Sequence, residues 1–259
     1  MTVGPRRALA LLLLGASCRC APPPGPAHWR TIGPGLEYAS ADAGDTLFHL
    51  VRVDLTRERL QVVDARNAVR QVAEVADLAR ESGALVAING TFFDERRRPI
   101  GLVVSQGREL NPLHRTRWFG ALVVREVGGF QQAEVVSTEQ LLALGAQKRS
   151  LLSVALQVGP RAVAGGRALP LKRQRASRSA VCVQSPTRIL LLATENAPVD
   201  AGDLARWMAE PADRGGFGCT SALLLDGGPS VQLAVHTASF DFDLRGGWGV
   251  PNALVVLPR

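Results

Sequence analysis

Three leucines that stop at a carboxylate and two glycines, Leu223-Leu224-Leu225-Asp226-Gly227-Gly228-Pro229-Ser230, constrain this chain more than any other stretch. A short apolar run bounded by turn residues reads as a buried strand. Such a strand holds its terminal acid rigidly, and the glycines after it let a ligand approach the backbone. The design recurs upstream, where Leu85-Val86-Ala87-Ile88 delivers Asn89 and Gly90 ahead of Thr91-Phe92-Phe93-Asp94. Two polar strand ends predict one shared site.

The rest of the chain is read in the same way. Residues 47–55 and 60–63 predict a hairpin around Thr56-Arg57-Glu58-Arg59, and further strands are expected at 102–105, 121–125, 152–158, 179–184, 188–193, 231–235 and 253–257. Gly165-Gly166 and Ser185-Pro186-Thr187 supply turns between them. Helical spacing appears in Val72, Val75, Ala76 and Ala79 ahead of Gly83 as C-cap, and again after the capping-box pattern Ser137-Thr138-Glu139-Gln140. A third helix is expected after Asp200, with Leu204, Trp207 and Met208 on one face. Strands outnumber helices, so the expected fold is α+β: a single domain of mixed or antiparallel sheets with about three helices.

The net charge of +7 is carried by arginine almost throughout, since Lys148 and Lys172 are the only lysines. The basic residues are scattered, without the aromatic-interleaved stripe of a nucleic-acid surface, so no nucleic-acid partner is expected. Arg6 and Arg7, an apolar stretch from Ala8 to Leu14 and Gly15-Ala16-Ser17-Cys18 have the layout of a bacterial export signal over residues 1–17. Processing and lipidation at Cys18 would tether an envelope lipoprotein; plain secretion to the periplasm or medium is the alternative. Pro22-Pro23-Pro24-Gly25-Pro26 gives residues 18–45 the character of a stiff spacer and lead-in, with the folded part starting between Leu36 and Thr46. Cys182 and Cys219 form either one disulfide or two buried thiols. The chain has no GxSxG, HExxH, Walker or Rossmann glycine pattern, and its four histidines share no ligand spacing.

Taken singly, each candidate has a bland explanation. Asp226-Gly227-Gly228 and Asn89-Gly90 could be turns, Arg173, Arg175 and Arg178 a solvated charge run, and Glu195-Asn196 a loop. Their order and context argue otherwise. The pieces Ala87-Ile88-Asn89-Gly90-Thr91-Phe92-Phe93, Pro99-Ile100-Gly101-Leu102, Leu156-Gln157-Val158-Gly159-Pro160, Arg178-Ser179-Ala180-Val181, Leu225-Asp226-Gly227-Gly228-Pro229-Ser230 and Val250-Pro251-Asn252-Ala253 together resemble the phosphodiester glycosidase family, over a domain spanning residues 46–259. Pro229, Val231 and Trp248 depart from the family pattern, standing where a glycine, a small hydroxyl residue and an arginine are common.

The resemblance implies an exported hydrolase that cleaves the sugar C1–O bond of a sugar-1-phosphodiester. Phosphate leaves readily, which lowers the demand for protonation and raises the demand for a cation. Arg178 is the expected cation, Asp226 the carboxylate at the anomeric carbon and Glu195 the second carboxylate, with Asp94 behind it. Asn89 and Asn252 would hold sugar hydroxyls or phosphate, backbone amides of Gly90, Gly227 and Gly228 would face an anion, Ser230 would donate a hydrogen bond, and Phe93 would wall the sugar. No cofactor is required on this reading, although Asp226 and Asn89 offer oxygen ligands of the kind calcium takes. The partner is a sugar-phosphodiester or glycan, and a membrane enters only through Cys18. The rival readings are a non-catalytic envelope module that binds an anionic glycan and a phosphodiesterase acting at phosphorus.

Overall fold

The structure is a computed structural model that describes residues 27–66 and 71–259, together with Met1 and Pro24. The proposed export signal and Cys18 lie outside the described residues.

Three antiparallel sheets enclose one core. The largest has eight strands in the order Arg30–Gly33, Leu36–Ala43, Thr46–Asp54, Arg188–Asn196, Ser179–Ser185, Ser221–Leu224, Arg161–Ala164 and Arg167–Ala168. A second sheet orders Arg108–Asn111, Val103–Ser105, Val154–Val158, Gly120–Val127 and Phe130–Ser137. The third orders Phe240–Leu244, Leu233–Thr237, Val86–Asn89, Asn252–Pro258 and Glu58–Asp64. A two-stranded ribbon pairs Arg175–Ala176 with Val199–Asp200.

The central core takes Val51, Ile189, Val181 and Leu223 from the large sheet, Leu122 and Leu156 from the second, and Leu60, Ile88, Leu233 and Leu254 from the third. Each buried side chain of this size stabilises by about 1.5–3 kcal/mol. The helix Ala201–Ala209 covers the other face of the large sheet, packing Leu204, Trp207 and Met208 onto Phe48, Cys182, Leu192 and Leu224. Helix Val75–Ser82 covers the third sheet and helix Thr138–Ala143 the second. The leucine run follows from this layering: Leu223 and Leu225 face the central core, and Leu224 faces the helix layer.

The helix cap signals hold, although Val72 lies outside the first helix, which starts at Val75 while Ala73 bridges to Val250. Ser137 Oγ accepts from Gln140 N–H at 3.1 Å while Gln140 Oε1 accepts from Ser137 N–H at 2.7 Å, and Asp200 caps Gly202 N–H at 2.9 Å. Gly83 terminates its helix at a φ of 69°, a conformation that costs a side-chain-bearing residue.

Other expectations change. The fold is richer in strand than an α+β reading implies, and four short α-helices stand among the described residues where about three were expected. The sheet begins at Arg30 rather than after Leu36, because Arg30–Gly33 and Leu36–Ala43 pair with each other and onto Thr46–Asp54. The expected hairpin around Thr56-Arg57-Glu58-Arg59 does not form. Thr46–Asp54 pairs with Arg188–Asn196, whereas Glu58–Asp64 crosses to the third sheet and pairs with Asn252–Pro258. Both strands carry residues that face the central core from opposite sides, Val51 and Val53 from one and Leu60 and Val62 from the other, so the turn is a corner between layers. Cys182 and Cys219 form a disulfide with Cα atoms 5.5 Å apart, joining the strand Ser179–Ser185 to the segment that enters Ser221–Leu224.

Candidate functional site

Asp226 is held by its backbone where two sheets meet. Its N–H donates to the Gly90 carbonyl at 3.1 Å, and its carbonyl accepts from Asn89 Nδ2 at 2.7 Å and Ser179 Oγ at 2.8 Å. Asn89 belongs to the third sheet and Ser179 to the large one, so this one carbonyl pins the two together. The side chain is left half-buried, and that burial pushes the carboxyl up to about 6, against the hydrogen bonds it accepts from the Ser230 hydroxyl and the Gly227 N–H. A carboxyl that ionises near neutrality suits proton transfer.

Arg178 stands beside it. A Cβ added to Gly227 would lie 3.0 Å from the Ser177 carbonyl oxygen and 3.9 Å from Arg178 Nη1, so the glycine brings the guanidinium alongside the turn after Asp226. Arg178 is 9% exposed; its N–H donates to Thr194 Oγ1 at 2.7 Å and its Nη2 to the Gln174 carbonyl at 2.6 Å. Its Nε is buried with no partner. Burial lowers the guanidinium below its ordinary value, and the Asp200 carboxylate partly offsets this. An unpaired N–H on a buried cation is costly unless a ligand supplies an acceptor, and an oxyanion matches it in charge and geometry.

Glu195 lies at the same end of the large sheet. The registers Ser179 to Ala193 and Ala180 to Leu224 bring Arg178, Thr194 and Asp226 level, with Glu195 one residue further on. Two strand spacings put its backbone about 10 Å from that of Asp226. It is the penultimate residue of the strand Arg188–Asn196, so the loop reading of Glu195-Asn196 gives way to sheet pairing with Leu47 and Thr46. Its Oε2 meets His49 Nε2 at 2.9 Å.

Several expected ligand contacts are instead structural. Asn89 and Asn252 are fully buried with their side chains engaged: Asn89 Oδ1 accepts from Gln232 N–H at 3.2 Å, and Asn252 Oδ1 accepts from Thr91 N–H at 3.0 Å while its Nδ2 donates to Thr91 Oγ1 at 2.9 Å. Both side chains fix strand ends through these bonds. Two of the amides expected to face an anion are also taken: Gly90 N–H bonds the Asn252 carbonyl at 3.1 Å and Gly228 N–H bonds the Ser177 carbonyl at 2.9 Å, while Gly227 N–H faces the Asp226 carboxyl. Gly90 itself is required because an added Cβ would collide with the Asn252 side chain. Ser230, 1% exposed, serves the Asp226 carboxyl.

Phe93 is half-exposed with the Arg97 guanidinium 5.6 Å from its ring, whereas Phe92 packs against the core and Phe119. Asp94 is engaged in its own turn, accepting from the N–H groups of Arg96 and Arg98 and from the Arg98 guanidinium, which hold it below the usual carboxylate range. Pro229 and Trp248 support each other: the Pro229 carbonyl accepts from the N–H groups of Gly247 and Trp248 at 2.8 and 3.1 Å, leaving the Trp248 ring exposed. Among the described residues no three His, Cys, Asp or Glu side chains gather as a metal site.

Sequence reasoning missed Tyr38, His49, Ser179 and Thr194 as members of this region. Ser179 stood within the quoted Arg178-Ser179 motif, while His49 sits in an otherwise ordinary strand and had no local signal.

The fold resembles three solved structures. A hypothetical protein from Synechocystis superposes with a TM-score of 0.60 at 19% identity, covering 90% of this chain, which in turn spans 64% of that protein's length. The catalytic domain of zebrafish N-acetylglucosamine-1-phosphodiester alpha-N-acetylglucosaminidase, auto-inhibited by its pro-peptide, gives 0.63 at 16% identity, over 91% of this chain and 88% of that one. A Burkholderia pseudomallei protein described as exported gives 0.58 at 15% identity, over 85% and 74%. A search of curated proteins finds no match by sequence. The profile of the phosphodiester glycosidase family matches residues 82–257, more than half the chain and a span that holds Asn89, Arg178, Glu195, Asp226 and Asn252. The chain belongs to the phosphodiester glycosidase family.

Proposed function

We propose that the chain is an exported hydrolase of sugar-1-phosphodiesters that breaks the bond between the anomeric carbon and the phosphate oxygen. The observation that carries this reading is the buried Arg178 guanidinium, its Nε without a partner, alongside the turn that holds the half-buried Asp226. In the proposed reaction Arg178 binds the phosphodiester oxyanion and stabilises the phosphomonoester as it leaves with the C1–O electron pair. Ionised Asp226 supports the positive charge that develops on the sugar ring and takes a proton from the water that attacks C1. Glu195 is the second carboxylate, able to protonate the departing phosphate. Half-exposed Phe93 is the aromatic surface proposed to wall the sugar. The reading assigns the cation's role to Arg178, so no metal is required. Export is supported by the signal-like N-terminus and by the disulfide, which persists in oxidising compartments.

The test is product analysis by mass spectrometry after incubation with UDP-N-acetylglucosamine and with a methyl N-acetylglucosamine-1-phosphodiester in oxygen-18 water, beside Asp226→Asn. Free sugar carrying the label, lost in the variant, is the expected result. Label in the phosphate of a sugar-1-phosphate would move the attack to phosphorus and overturn the mechanism. Saturable binding of both compounds without turnover would identify a glycan-binding module instead.

A further inference from the structure

His49 is almost wholly buried, at 3% exposure, and both of its ring nitrogens are engaged. Nδ1 lies 2.7 Å from the Tyr38 hydroxyl and Nε2 lies 2.9 Å from Glu195 Oε2. The three residues come from adjacent strands of the large sheet, with Tyr38 opposite Val51 and Ala193 opposite His49, so their side chains line up across its core face. Phe242 of the third sheet closes over the imidazole with ring centroids 4.5 Å apart, and Phe240 packs on Tyr38 at 4.6 Å. The Glu195 side chain, 41% exposed, is the only member of the row that reaches solvent. The Arg30 guanidinium also lies against the row, 5.1 Å from the Tyr38 ring and 3.9 Å from that of Phe240.

We infer that Tyr38 and His49 are positioning residues that hold Glu195 at the site and let it gain or lose a proton while keeping its inner hydrogen bond. This rests on the proposed function, in which Glu195 is the second carboxylate. A neutral imidazole has one donor and one acceptor nitrogen, and a hydroxyl can do either. With Glu195 ionised, Nε2–H donates to the carboxylate and Nδ1 accepts from the Tyr38 hydroxyl. With Glu195 protonated at its other oxygen, Oε2 still accepts from Nε2–H and Nδ1 still accepts from the Tyr38 hydroxyl. Both arrangements satisfy every buried polar atom in the row, and the proton enters or leaves through the exposed carboxyl. A fixed partner such as a guanidinium would favour only the ionised form. Burial also raises the Tyr38 hydroxyl, with the Glu195 charge acting in the same direction, which keeps the phenol neutral and able to donate to Nδ1.

The backbone is fixed to match. Thr46 Oγ1 donates to the Ala197 carbonyl at 3.1 Å and Ala197 N–H donates to the Glu195 carbonyl at 3.0 Å, across Asn196 at a φ of 68°. Asparagine tolerates that left-handed conformation better than most residues. Strand end and imidazole together leave the carboxyl little freedom.

The experiment combines steady-state kinetics on the methyl N-acetylglucosamine-1-phosphodiester with nitrogen-15 NMR of the histidine side chains in the full chain, for wild type, Tyr38→Phe, His49→Gln, His49→Ala and Glu195→Gln. Tyr38→Phe and His49→Ala should lower kcat by about tenfold or more, with KM nearly unchanged and the pH–kcat profile altered. His49→Gln should recover part of the loss because its amide can still donate to Glu195. The His49 nitrogen shifts should change with pH in wild type and lose that change in Glu195→Gln. A folded His49→Ala protein with wild-type kcat and pH profile overturns the inference and leaves the proposed function standing. If wild type turns over neither this diester nor UDP-N-acetylglucosamine, the proposed function falls; the nitrogen shifts then decide the row alone, and shifts indifferent to Glu195→Gln overturn it.

Discussion

Replacing Asp226 by asparagine should abolish turnover and at the same time stabilise the protein at neutral pH. The carboxyl ionises at about 6 in the fold against an ordinary 3.8, with burial as the leading cause. Each pH unit of delay corresponds to about 1.4 kcal/mol, so the ionised side chain costs the fold about 3 kcal/mol above pH 6, to order of magnitude. The sign follows from proton counting: between 3.8 and about 6 the folded chain binds more protons at this position than the unfolded chain, so the cost is absent below 3.8, grows as pH rises, and is complete above about 6. Asparagine carries no charge to bury and keeps an oxygen that can accept from Ser230 and Gly227. Urea denaturation of wild type and Asp226→Asn at pH 3.5, 5 and 7.5 should therefore show a gain for the variant that is near zero at the lowest pH and approaches about 3 kcal/mol at the highest. Equal stabilities at pH 7.5, or a difference indifferent to pH, would refute the claim that a desolvated charge is stored at this strand end.

The same carboxyl predicts that kcat/KM rises with pH through about 6 as free Asp226 ionises, and that Asp226→Glu moves or removes this limb. Arg178→Ala should weaken binding of the phosphodiester about 10- to 100-fold, the loss expected for charge-assisted hydrogen bonds, while a neutral N-acetylglucosamine ligand is affected much less by isothermal titration. Cys182→Ser should destabilise the domain by about 4 kcal/mol, worked from loop closure over the 37-residue separation; a melting temperature equal to that of the disulfide-bonded protein would contradict this.

The strand ends at Asn89 and Asp226 were legible because unbroken apolar runs can be satisfied only between two covered layers, and the glycines after them mark close backbone approach. Arg178 was legible through its place in a family motif, although a charge run beside Arg173 and Arg175 gave no hint that this member alone would be 9% exposed. Partnership was harder to read. The hairpin expected around Thr56-Arg57-Glu58-Arg59 failed because apolar pattern says which residues are buried and not which sheet they join. Asn89, Asn252 and the glycine amides look like ligand groups in sequence, and only tertiary hydrogen bonding shows that they are already engaged. His49 illustrates the same limit, since its meaning depends on Tyr38 and Glu195, from strands that sequence separation conceals.

The strand Asn252–Pro258 lies inside the third sheet, between Val86–Asn89 and Glu58–Asp64, and contributes the Asn252 that clamps Thr91. Until that strand has been synthesised, both neighbours expose unpaired edges and the Asn89 end of the site has no brace. The nascent chain therefore cannot complete its fold early. Delay of this kind leaves the partial chain open to chaperone capture, so the placement of one late strand sets the moment at which assembly can finish.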